Sequence, residues 1–208
     1  MIGVLALQGG FDAHLKVLRA LGEEAREVRT VADLDGLDGL VMPGGESTTM
    51  TLGIAREGLA EPLRDAIGGG LPVLGTCAGL IMLDRDHLDV MDIVAKRNAF
   101  GRQVRSFEAD LAFADLDGDP VHAVFIRAPW IEEHGPGVEV LAAVDGHPVA
   151  AREGDIMVLA FHPELSGEDR LHRLFLDRVR SRACHGPATP RASSTGCSSS
   201  ASASSTSS

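Results

Sequence analysis

One of the three cysteines, Cys77, stands in a setting that suits nucleophilic chemistry. It lies between two glycines in the segment "GTCAGL" (75–80), directly after the apolar stretch "LPVL". The spacing Gly-x-Cys-x-Gly is that of a nucleophile elbow, a sharp turn from a strand into a helix that needs small neighbours. Such a turn places the thiol at a helix N-terminus, where the helix dipole stabilises the thiolate. A small, packed hydrophobic side chain is the alternative interpretation of Cys77.

A thiol nucleophile needs a base, and His162 is the histidine best placed to supply one. It follows the apolar stretch "IMVLAF" and precedes Pro163 and Glu164. Parallel sheets carry their sites at the carboxyl ends of strands, and residues two apart in an extended segment project to the same side. A carboxylate at Glu164 can therefore accept the ring N–H and stabilise the imidazolium. The other histidines lack such a setting: His87, His134 and His185 lie among polar residues, and we expect His14, His122 and His172 to be packed or solvated.

The segment "PGGES" (43–47) predicts an oxyanion hole. A strand, two glycines and a helix start leave free backbone N–H groups at the carboxyl end of the strand. The N–H groups of Gly45 and of Ala78, the residue after Cys77, would flank the oxyanion of a tetrahedral intermediate. A phosphate-binding loop is one alternative, but no lysine follows the glycines as a P-loop requires. A plain tight turn is the other alternative.

Alternating strands and helices must position these residues. The hydrophobic pattern predicts strands at 2–8, 38–45 and 71–75, a weaker strand at 24–30, and helices at 11–22 and 47–67. This alternation predicts an α/β fold with a mostly parallel central sheet that is flanked by helices.

The second half of the chain predicts antiparallel additions to that sheet. Residues 106–129 and 138–153 alternate as ribbons, with Asp-Gly turns at 117–118 and 145–146. A last apolar strand at 155–164 and an amphipathic closing helix at 167–182 follow. No linker-like stretch separates the halves, so we predict one domain over residues 1–184.

Residues 185–208 differ in composition from this domain. From about Gly186 onward the chain consists mainly of Ser, Ala, Thr and Pro without apolar periodicity. Such a segment cannot bury enough surface to offset its ordering entropy. We expect a disordered tail or a sequence artefact.

The composition argues against several classes of function. A net charge of −11 argues against nucleic acid or an anionic membrane as a partner. No apolar run approaches the roughly 20 residues that span a bilayer, and the start lacks the basic region of a signal peptide. Three cysteines, one of them in the tail, do not make a disulfide framework. The sequence therefore predicts a soluble, cytoplasmic protein, and nothing in it suggests a metal.

The motifs "PGGESTTM", "GTCAGL" and "FHPEL", in this order, resemble those of class I glutamine amidotransferases, which have a flavodoxin-like fold. With "GVLALQG", "RNAFGRQVRSFEADL" and "FIRAP", the chain is more similar to the family of glutaminase subunits of pyridoxal 5'-phosphate synthase, over about residues 2–180. The resemblance implies hydrolysis of L-glutamine to L-glutamate and ammonia through a glutamyl thioester. It also implies a large hetero-oligomer in which a synthase subunit receives the ammonia for vitamin B6 biosynthesis, and no cofactor on this chain.

The resemblance assigns roles to particular residues. It makes Cys77 the nucleophile, His162 the base and Glu164 the group that orients His162. It places the substrate against Gly45, Glu46, Ser47, Arg97, Ile126 and Arg127. An arginine suits the α-carboxylate of glutamine, and a carboxylate or carbonyl suits its ammonium group, although a surface ion pair is the alternative for each arginine. Gln8, at the end of the first strand, could reach the oxyanion loop.

Two departures from the family pattern leave alternatives open. Residues 84–95 are shorter by several residues than the Gly-containing loop of the family, and the Ser-rich tail has no counterpart. The first alternative function is an amidotransferase subunit of another synthase, such as imidazole glycerol phosphate synthase. The second is a cysteine peptidase or another thiol hydrolase, and the third is a partner-binding protein without activity.

Overall fold

The computed structural model describes residues 1–100 and 106–185, with side chains as far as residue 182. Residues 101–105 of the motif "RNAFGRQVRSFEADL" lie outside the described residues, as does the Ser-rich segment from residue 186 onward, including Cys197. The boundary that the sequence predicts between a domain at 1–184 and a tail at 185–208 therefore stays a prediction.

The described residues form strands and helices that alternate along the first half of the chain. The strands are β1 (Ile2–Leu5), β2 (Ala25–Val28), β3 (Gly39–Met42), β4 (Val73–Thr76), β5 (Ile93–Lys96), β6 (Ser106–Leu111), β7 (Val121–Ile126), β8 (Trp130–His134), β9 (Glu139–Val144), β10 (His147–Glu153) and β11 (Ile156–Leu159). The α-helices are α1 (Phe11–Ala20), α2 (Ser47–Arg56), α3 (Ala60–Gly68), α4 (Ala78–Leu83), α5 (Pro163–Ser166) and α6 (Arg170–His185), and a short 3₁₀ helix covers Val31–Leu34.

A seven-stranded sheet in the order β2-β1-β3-β4-β11-β10-β9 forms the centre of the fold. The first five strands in this order are parallel, and β10 and β9 extend the sheet in antiparallel fashion. Every residue of β1, β3, β4 and β11 is buried, as expected of parallel strands that are covered on both faces. The predicted α/β fold with antiparallel additions is confirmed.

The two predicted ribbons are also present. Strands β9 and β10 form a hairpin whose turn residues, Asp145 and Gly146, have φ of 50° and 81°, the left-handed conformation of a type I′ turn. Strands β6 and β7 pair as a separate two-stranded sheet, with Asp117 and Gly118 in the connection between them.

Three elements differ from the sequence prediction. The helix predicted at 47–67 is two helices, because Gly58 turns the chain at a φ of 66° and Leu59 is buried beside the break. The first strand ends at Leu5 rather than residue 8, so residues 6–10 form a loop. Strands β5 and β8 form a third sheet that the sequence pattern did not predict.

The segment 84–95, which the sequence analysis singled out as short, is packed into the structure. Leu88, Met91 and Ile93 are buried, and the carboxylate of Asp84, which is also buried, accepts hydrogen bonds from the backbone N–H groups of Asp86 and Ala95. The segment therefore closes on itself after α4 and buries its own apolar side chains.

Candidate active site

The turn between β4 and α4 holds Cys77 in the strained conformation of an elbow. Cys77 has φ 48° and ψ −102°, a combination that L-residues rarely adopt. A side chain on Gly75 or on Gly79 would meet neighbouring atoms, Leu83 Cδ1 in the first case and the carbonyl oxygen of Met42 in the second. These close contacts explain why small residues flank the cysteine. The Cys77 side chain is 6% exposed and points to the carboxyl edge of the sheet, where its Sγ lies 3.9 Å from the carbonyl oxygen of Ile126.

His162 lies at the same edge, three residues beyond the end of β11. Its backbone N–H donates to the carbonyl oxygen of Val124 at 2.9 Å, which ties the loop to β7. Pro163 then begins the short helix α5, so that His162 takes the N-cap position. The ring is 9% exposed, and its Nδ1–H donates to Glu164 Oε1 at 2.7 Å.

Cys77 and His162 converge on Gly44. A Cβ on Gly44 would lie 3.0 Å from His162 Nδ1 and 3.1 Å from Cys77 Cβ. The thiol of Cys77 is close enough to the His162 imidazole to raise the pKa of that ring. Cys77, His162 and Glu164 therefore lie in the order thiol, imidazole and carboxylate at one edge of the sheet.

The electrostatics of this chain favour an imidazolium at His162. Burial lowers the pKa of His162, but the hydrogen bonds to Cys77 and Glu164 outweigh burial and raise that pKa to about 10. Burial also disfavours the charged form of Glu164, yet the hydrogen bond from His162 and the proximity of His14 keep the Glu164 pKa below its usual value. A protonated His162 beside an ionised Glu164 can stabilise a thiolate at Cys77 and later donate a proton.

The loop "PGGES" packs against the loop that follows β1. The carbonyl oxygen of Gly44 accepts from the Gly10 N–H at 3.0 Å, and Gln8 forms two hydrogen bonds of 3.0 Å with the backbone of Glu46. Because a trans peptide places its N–H opposite its carbonyl, the Gly45 N–H points away from Gly10. A side chain on Gly45 would collide with the Gln8 amide, so this close approach requires glycine.

A cavity of about 420 Å³ opens in front of Cys77. It is lined by Gly45, Glu46, Ser47, Cys77, Ala78, Ile81, Arg97, Asn98, Ile126, Arg127, Pro129 and His162. The structure thus brings nine of the ten predicted site residues to one cavity, and the tenth, Glu164, lies behind His162. A second cavity of about 440 Å³, beside Asp38, Pro72 and Arg182, has no nucleophilic side chain in its lining.

The polar side chains of the cavity differ in how many hydrogen bonds they already form within the chain. The Glu46 carboxylate caps α2 by accepting from the N–H groups of Thr48 and Thr49 and from the Thr49 hydroxyl, which lowers its pKa to about 2. Arg97 lies 3.4 Å from the Ser47 hydroxyl and is otherwise exposed, and Arg127 is exposed with φ 45°. The two guanidinium groups therefore remain available at the mouth of the cavity.

Sequence reasoning missed several residues of this region. Ile81, Asn98 and Pro129 line the cavity, and each adjoins a motif that the sequence did single out. His14 and His172, predicted to be packed or solvated, are both fully buried behind Glu164 and have polar partners there. Their position on the apolar faces of two amphipathic helices, beside Leu15 and Leu171, was the available indication.

Two searches of the described residues bear on other functions. Residues 1–100 and 106–185 contain no group of three or more His, Cys, Asp or Glu side chains that is placed to hold a metal ion. Among the helices in these ranges, none is long and apolar enough to cross a membrane.

Comparison with known proteins gives consistent results for sequence and fold. A model of the SNO glutamine amidotransferase family matches residues 4–181. Among curated proteins, the pyridoxal 5'-phosphate synthase subunit PdxT of Parafrankia sp. (strain EAN1pec) is 54% identical over 189 residues, covering 86% of this chain and 93% of the relative. The PdxT subunit of Mycobacterium avium (strain 104) is 53% identical over 190 residues, covering 86% and 96%. A solved structure, described as a crystal structure of glutamine amidotransferase, has a TM-score of 0.81 at 45% identity and covers 86% of this chain and 98% of its own.

Proposed function

The chain belongs to the SNO glutamine amidotransferase family, and we propose that it hydrolyses L-glutamine to L-glutamate and ammonia and delivers the ammonia to a pyridoxal 5'-phosphate synthase subunit. One observation carries this proposal above the others: Cys77, at a strained elbow, lines one cavity with Gly45 and with His162, whose ring N–H donates to Glu164. The subunit names of relatives at 53–54% identity support the choice of synthase.

Acylation begins with the ion pair of Cys77 and His162. The Cys77 thiolate attacks the carboxamide carbon of glutamine, and the negative charge moves to the carbonyl oxygen. The backbone N–H groups of Gly45 and Ala78 flank that oxygen, since Ala78 is the first residue of α4 and its N–H has no partner within the helix. His162 then donates its proton to the departing nitrogen, so that ammonia leaves and a glutamyl thioester remains.

Deacylation reverses the role of His162. The imidazole, now neutral, takes a proton from a water molecule that attacks the thioester carbon, and the second tetrahedral intermediate uses the same two N–H groups. Collapse of this intermediate releases glutamate and restores the thiolate beside the imidazolium. Glu164 keeps the Nδ1–H of His162 bound throughout, which leaves Nε2 as the nitrogen that exchanges protons with the thiol and the substrate.

The cavity mouth suits the amino-acid end of glutamine. Arg97 and Arg127 can pair with the α-carboxylate, and the carbonyl of Ile126 or the side chains of Glu46 and Ser47 can accept from the ammonium group. The carboxylate of Glu46 already caps α2, so we assign the backbone of Glu46 rather than its carboxylate the larger part in holding the substrate.

We propose a cytoplasmic location, because three cysteines, one of them in the Ser-rich segment, do not make a disulfide framework and Cys77 is a free thiol. The segment 84–95 does not line the cavity in front of Cys77, so its shortening gives no structural reason to prefer the non-catalytic alternative.

Glutaminase activity with and without candidate synthases tests the proposal. We expect ammonia release from glutamine that depends on Cys77, and incorporation of that nitrogen into pyridoxal 5'-phosphate when the matching synthase subunit is present. Activation by imidazole glycerol phosphate synthase would favour the first alternative, and peptide turnover without glutamine turnover would favour the second. Failure of an irreversible glutamine analogue to label Cys77 in the complete complex would favour the third.

A further inference from the structure

A buried row of titratable side chains continues from the triad into the helix layer. His14 on α1 lies with its Nε2 3.3 Å from Glu164 Oε2, the carboxylate oxygen that His162 does not use and that has no aligned hydrogen-bond donor among the described residues. His14 Nδ1 lies 2.9 Å from Nε2 of His172 on α6. Both histidines are fully buried, and Glu164 is 2% exposed.

We propose that His14, backed by His172, is a positioning residue for the reaction proposed above: its Nε2–H faces the second oxygen of Glu164 at 3.3 Å and stabilises that carboxylate in its orientation toward His162. The expected effect on catalysis rests on the proposed function, whereas the contacts among the three side chains do not depend on it. His172, His14 and Glu164 are called the histidine chain below.

The tautomers of the two histidines follow from the charge on Glu164. A bare ring nitrogen facing a carboxylate oxygen would repel it, so the nitrogen of His14 nearest Glu164 must carry a hydrogen. A neutral His14 with Nε2–H has a lone pair on Nδ1, which accepts from His172 Nε2–H. His172 Nδ1, which has no aligned hydrogen-bond partner in the part of the chain that the structure describes, is then a bare acceptor rather than an orphaned donor. In this arrangement His172 Nε2–H faces His14 Nδ1, and His14 Nε2–H faces Thr76 and Glu164.

Burial keeps both rings neutral. It lowers the pKa of His14, with Glu164 opposing that effect and His162 adding to it. Burial, followed by His14, lowers the pKa of His172 to about 4, and Glu164, Asp169 and the backbone of Glu168 act in the opposite direction. The charged groups that bear on the two buried histidines are therefore His162, Glu164 and Asp169, the residue before α6.

The other neighbour of His14 Nε2 is the hydroxyl of Thr76, which can accept from the same N–H. The Thr76 hydroxyl lies 3.2 Å from His14 Nε2, and Thr76 is the residue before Cys77. His14 thus contacts both the strand end that carries the nucleophile and the carboxylate that orients the base. Loss of its N–H would remove the partial positive charge that faces one oxygen of a buried carboxylate, and the carboxylate would turn away from His162 or take up a proton.

Two matched substitutions separate the orienting bond from the space that His14 fills. In His14→Gln the side-chain amide reaches the position of Nε2 and can still donate to Glu164, whereas in His14→Asn it reaches only the position of Nδ1. The readout is the pH midpoint of Cys77 alkylation by iodoacetamide, followed on the peptide that contains Cys77 because the chain has two further cysteines, Cys184 and Cys197. His122→Gln, at an exposed histidine that pairs with Asp110 and Glu108, is the control.

We expect the pH midpoint of Cys77 alkylation to rise by about one pH unit in His14→Asn. The imidazolium form of His162 should be about tenfold less favoured in this variant, and it then stabilises the Cys77 thiolate less. His14→Gln should restore most of the midpoint, and His122→Gln should not move it. In the Glu164→Gln background His14→Asn should add no further shift, because His14 acts only through Glu164. With the synthase present, kcat/KM should fall about tenfold to a hundredfold in His14→Asn, the size seen when outer partners of catalytic ligands are removed.

Equal midpoints in His14→Gln and His14→Asn, or an undiminished effect of His14→Asn in the Glu164→Gln background, would overturn the proposal. Nitrogen-15 NMR of the unmodified protein tests it without any substitution: an Nδ1-protonated ring at either His14 or His172 would contradict the tautomers above. If the expected shifts appear while no glutamine is hydrolysed under any condition, the proposed function is wrong, but the proposed effect of His14 on Glu164 is supported.

Discussion

The backbone conformation at Cys77 is unfavourable for a residue with a side chain, although the proposed chemistry needs a thiol at this position. A φ of 48° with a ψ of −102° lies in a region that favours glycine, and a side chain held there costs about 1–3 kcal/mol. Surrounding contacts impose this conformation, including the hydrogen bond from the Cys77 N–H to the carbonyl oxygen of Leu159 at 2.8 Å. The strain is tolerated because it sets the thiol at the start of α4 and beside His162.

Substitutions at Cys77 should separate the strain from the activity. Cys77→Ala and Cys77→Gly should both abolish glutamine hydrolysis and leave the fold and partner binding intact, because each removes the nucleophile. Cys77→Gly should be more stable than Cys77→Ala by about 1 kcal/mol, since glycine accepts the backbone conformation without a Cβ. Denaturant unfolding measures the difference in stability, and an ammonia assay measures the turnover. Wild-type turnover in Cys77→Ala would show that the triad assignment is wrong, and equal stabilities would show that the elbow is not strained.

The charge on His162 predicts an unusual titration. Hydrogen bonds to Cys77 and Glu164 outweigh burial and raise the His162 pKa to about 10, so the ring stays protonated at neutral pH and loses its proton as the pH rises through about 10. NMR of the ring Cε1–H in the free protein should show this midpoint. In Glu164→Gln the charged form loses its carboxylate partner, so the midpoint should move to lower pH. A wild-type midpoint near 6.5, the ordinary value for histidine, would contradict the ion pair.

Local motifs were enough to locate Cys77, His162 and Glu164, because each lies within a few residues of the strand end or helix start that positions it. His14 and His172 were not found in this way. They are 158 residues apart in sequence, and only the packing of α1 against the closing helix brings their rings together. A histidine on an apolar helix face indicates a buried polar partner, but the sequence does not identify that partner.

Among the elements, the loop after β1 and the loop after β3 depend on each other. The Gln8 amide forms two hydrogen bonds with the backbone of Glu46, and the Gly10 N–H holds the carbonyl oxygen of Gly44. A side chain at Gly9 would collide with that same carbonyl, so the loops approach as closely as backbones can. These contacts fix the direction of the Gly45 N–H, which is one of the two proposed oxyanion donors.

Removing the Gln8 amide should therefore lower the rate of the chemical step more than substrate binding. We expect Gln8→Leu to reduce kcat by about 10²–10³-fold, the cost of losing one oxyanion donor, with a smaller change in KM. Steady-state kinetics with saturating synthase measure both parameters. Arg29→Gln is a suitable control, because Arg29 is exposed and pairs with Glu27 away from the loop. A change confined to KM would assign Gln8 to substrate binding instead.

The element boundaries show where hydrophobic pattern is a sufficient guide. Continuous apolar runs located β3, β4 and β11 because parallel strands are buried on both faces. The break between α2 and α3 was missed, because the glycine at position 58 interrupts an otherwise unbroken helical pattern and only its left-handed backbone reveals the turn. Strands β5 and β8 were missed because each is short and mostly charged or half-buried, so their pairing depends on tertiary contacts.

At the scale of the whole molecule, the domain closes with α6. This helix packs Phe175 and Val179 against Gly39 of β3, and its His172 reaches the back of the site. The contacts described above for Cys77, His162 and Glu164 come from residues 1–100 and 106–182, and the Ser-rich composition from residue 186 onward has no apolar periodicity with which to add to them.

Deletion of residues 187–208 should change neither the melting temperature nor the glutaminase activity. The segment has no apolar periodicity with which to dock, so its removal should cost no burial. Thermal unfolding and kinetics of the shortened chain are the measurements, with the full chain as the reference. A loss of several degrees would show that the tail packs on the domain.

The whole-molecule consequence of the proposed function is control of the site by the synthase. Ammonia released without an acceptor is wasted, so a free subunit that hydrolysed glutamine at full rate would serve no purpose. The structure offers a means of control, since the Gly44–Gly45 peptide can rotate at low steric cost and its present orientation depends on residues 8–10. Gly9 is exposed, so a partner bound over residues 7–14 could act on this contact directly.

We expect the isolated chain to be a poor glutaminase and the synthase to activate it. With the Gly44 carbonyl turned into the site the oxyanion hole is absent, and with the orientation held by Gly10, which the structure shows, it is present. The expectation therefore requires that the free chain populate mainly the first orientation and that the synthase favour the second. One such donor is worth about 10²–10³ in rate, so a partner that favours the second orientation should raise kcat by up to that factor. The measurement is glutaminase turnover per Cys77 site across a titration of synthase, with Gln8→Leu as the variant that should respond less. Turnover that stays flat through saturation would contradict this mechanism and leave a constitutive hydrolase as the better description, because the free chain would then already hold its oxyanion hole.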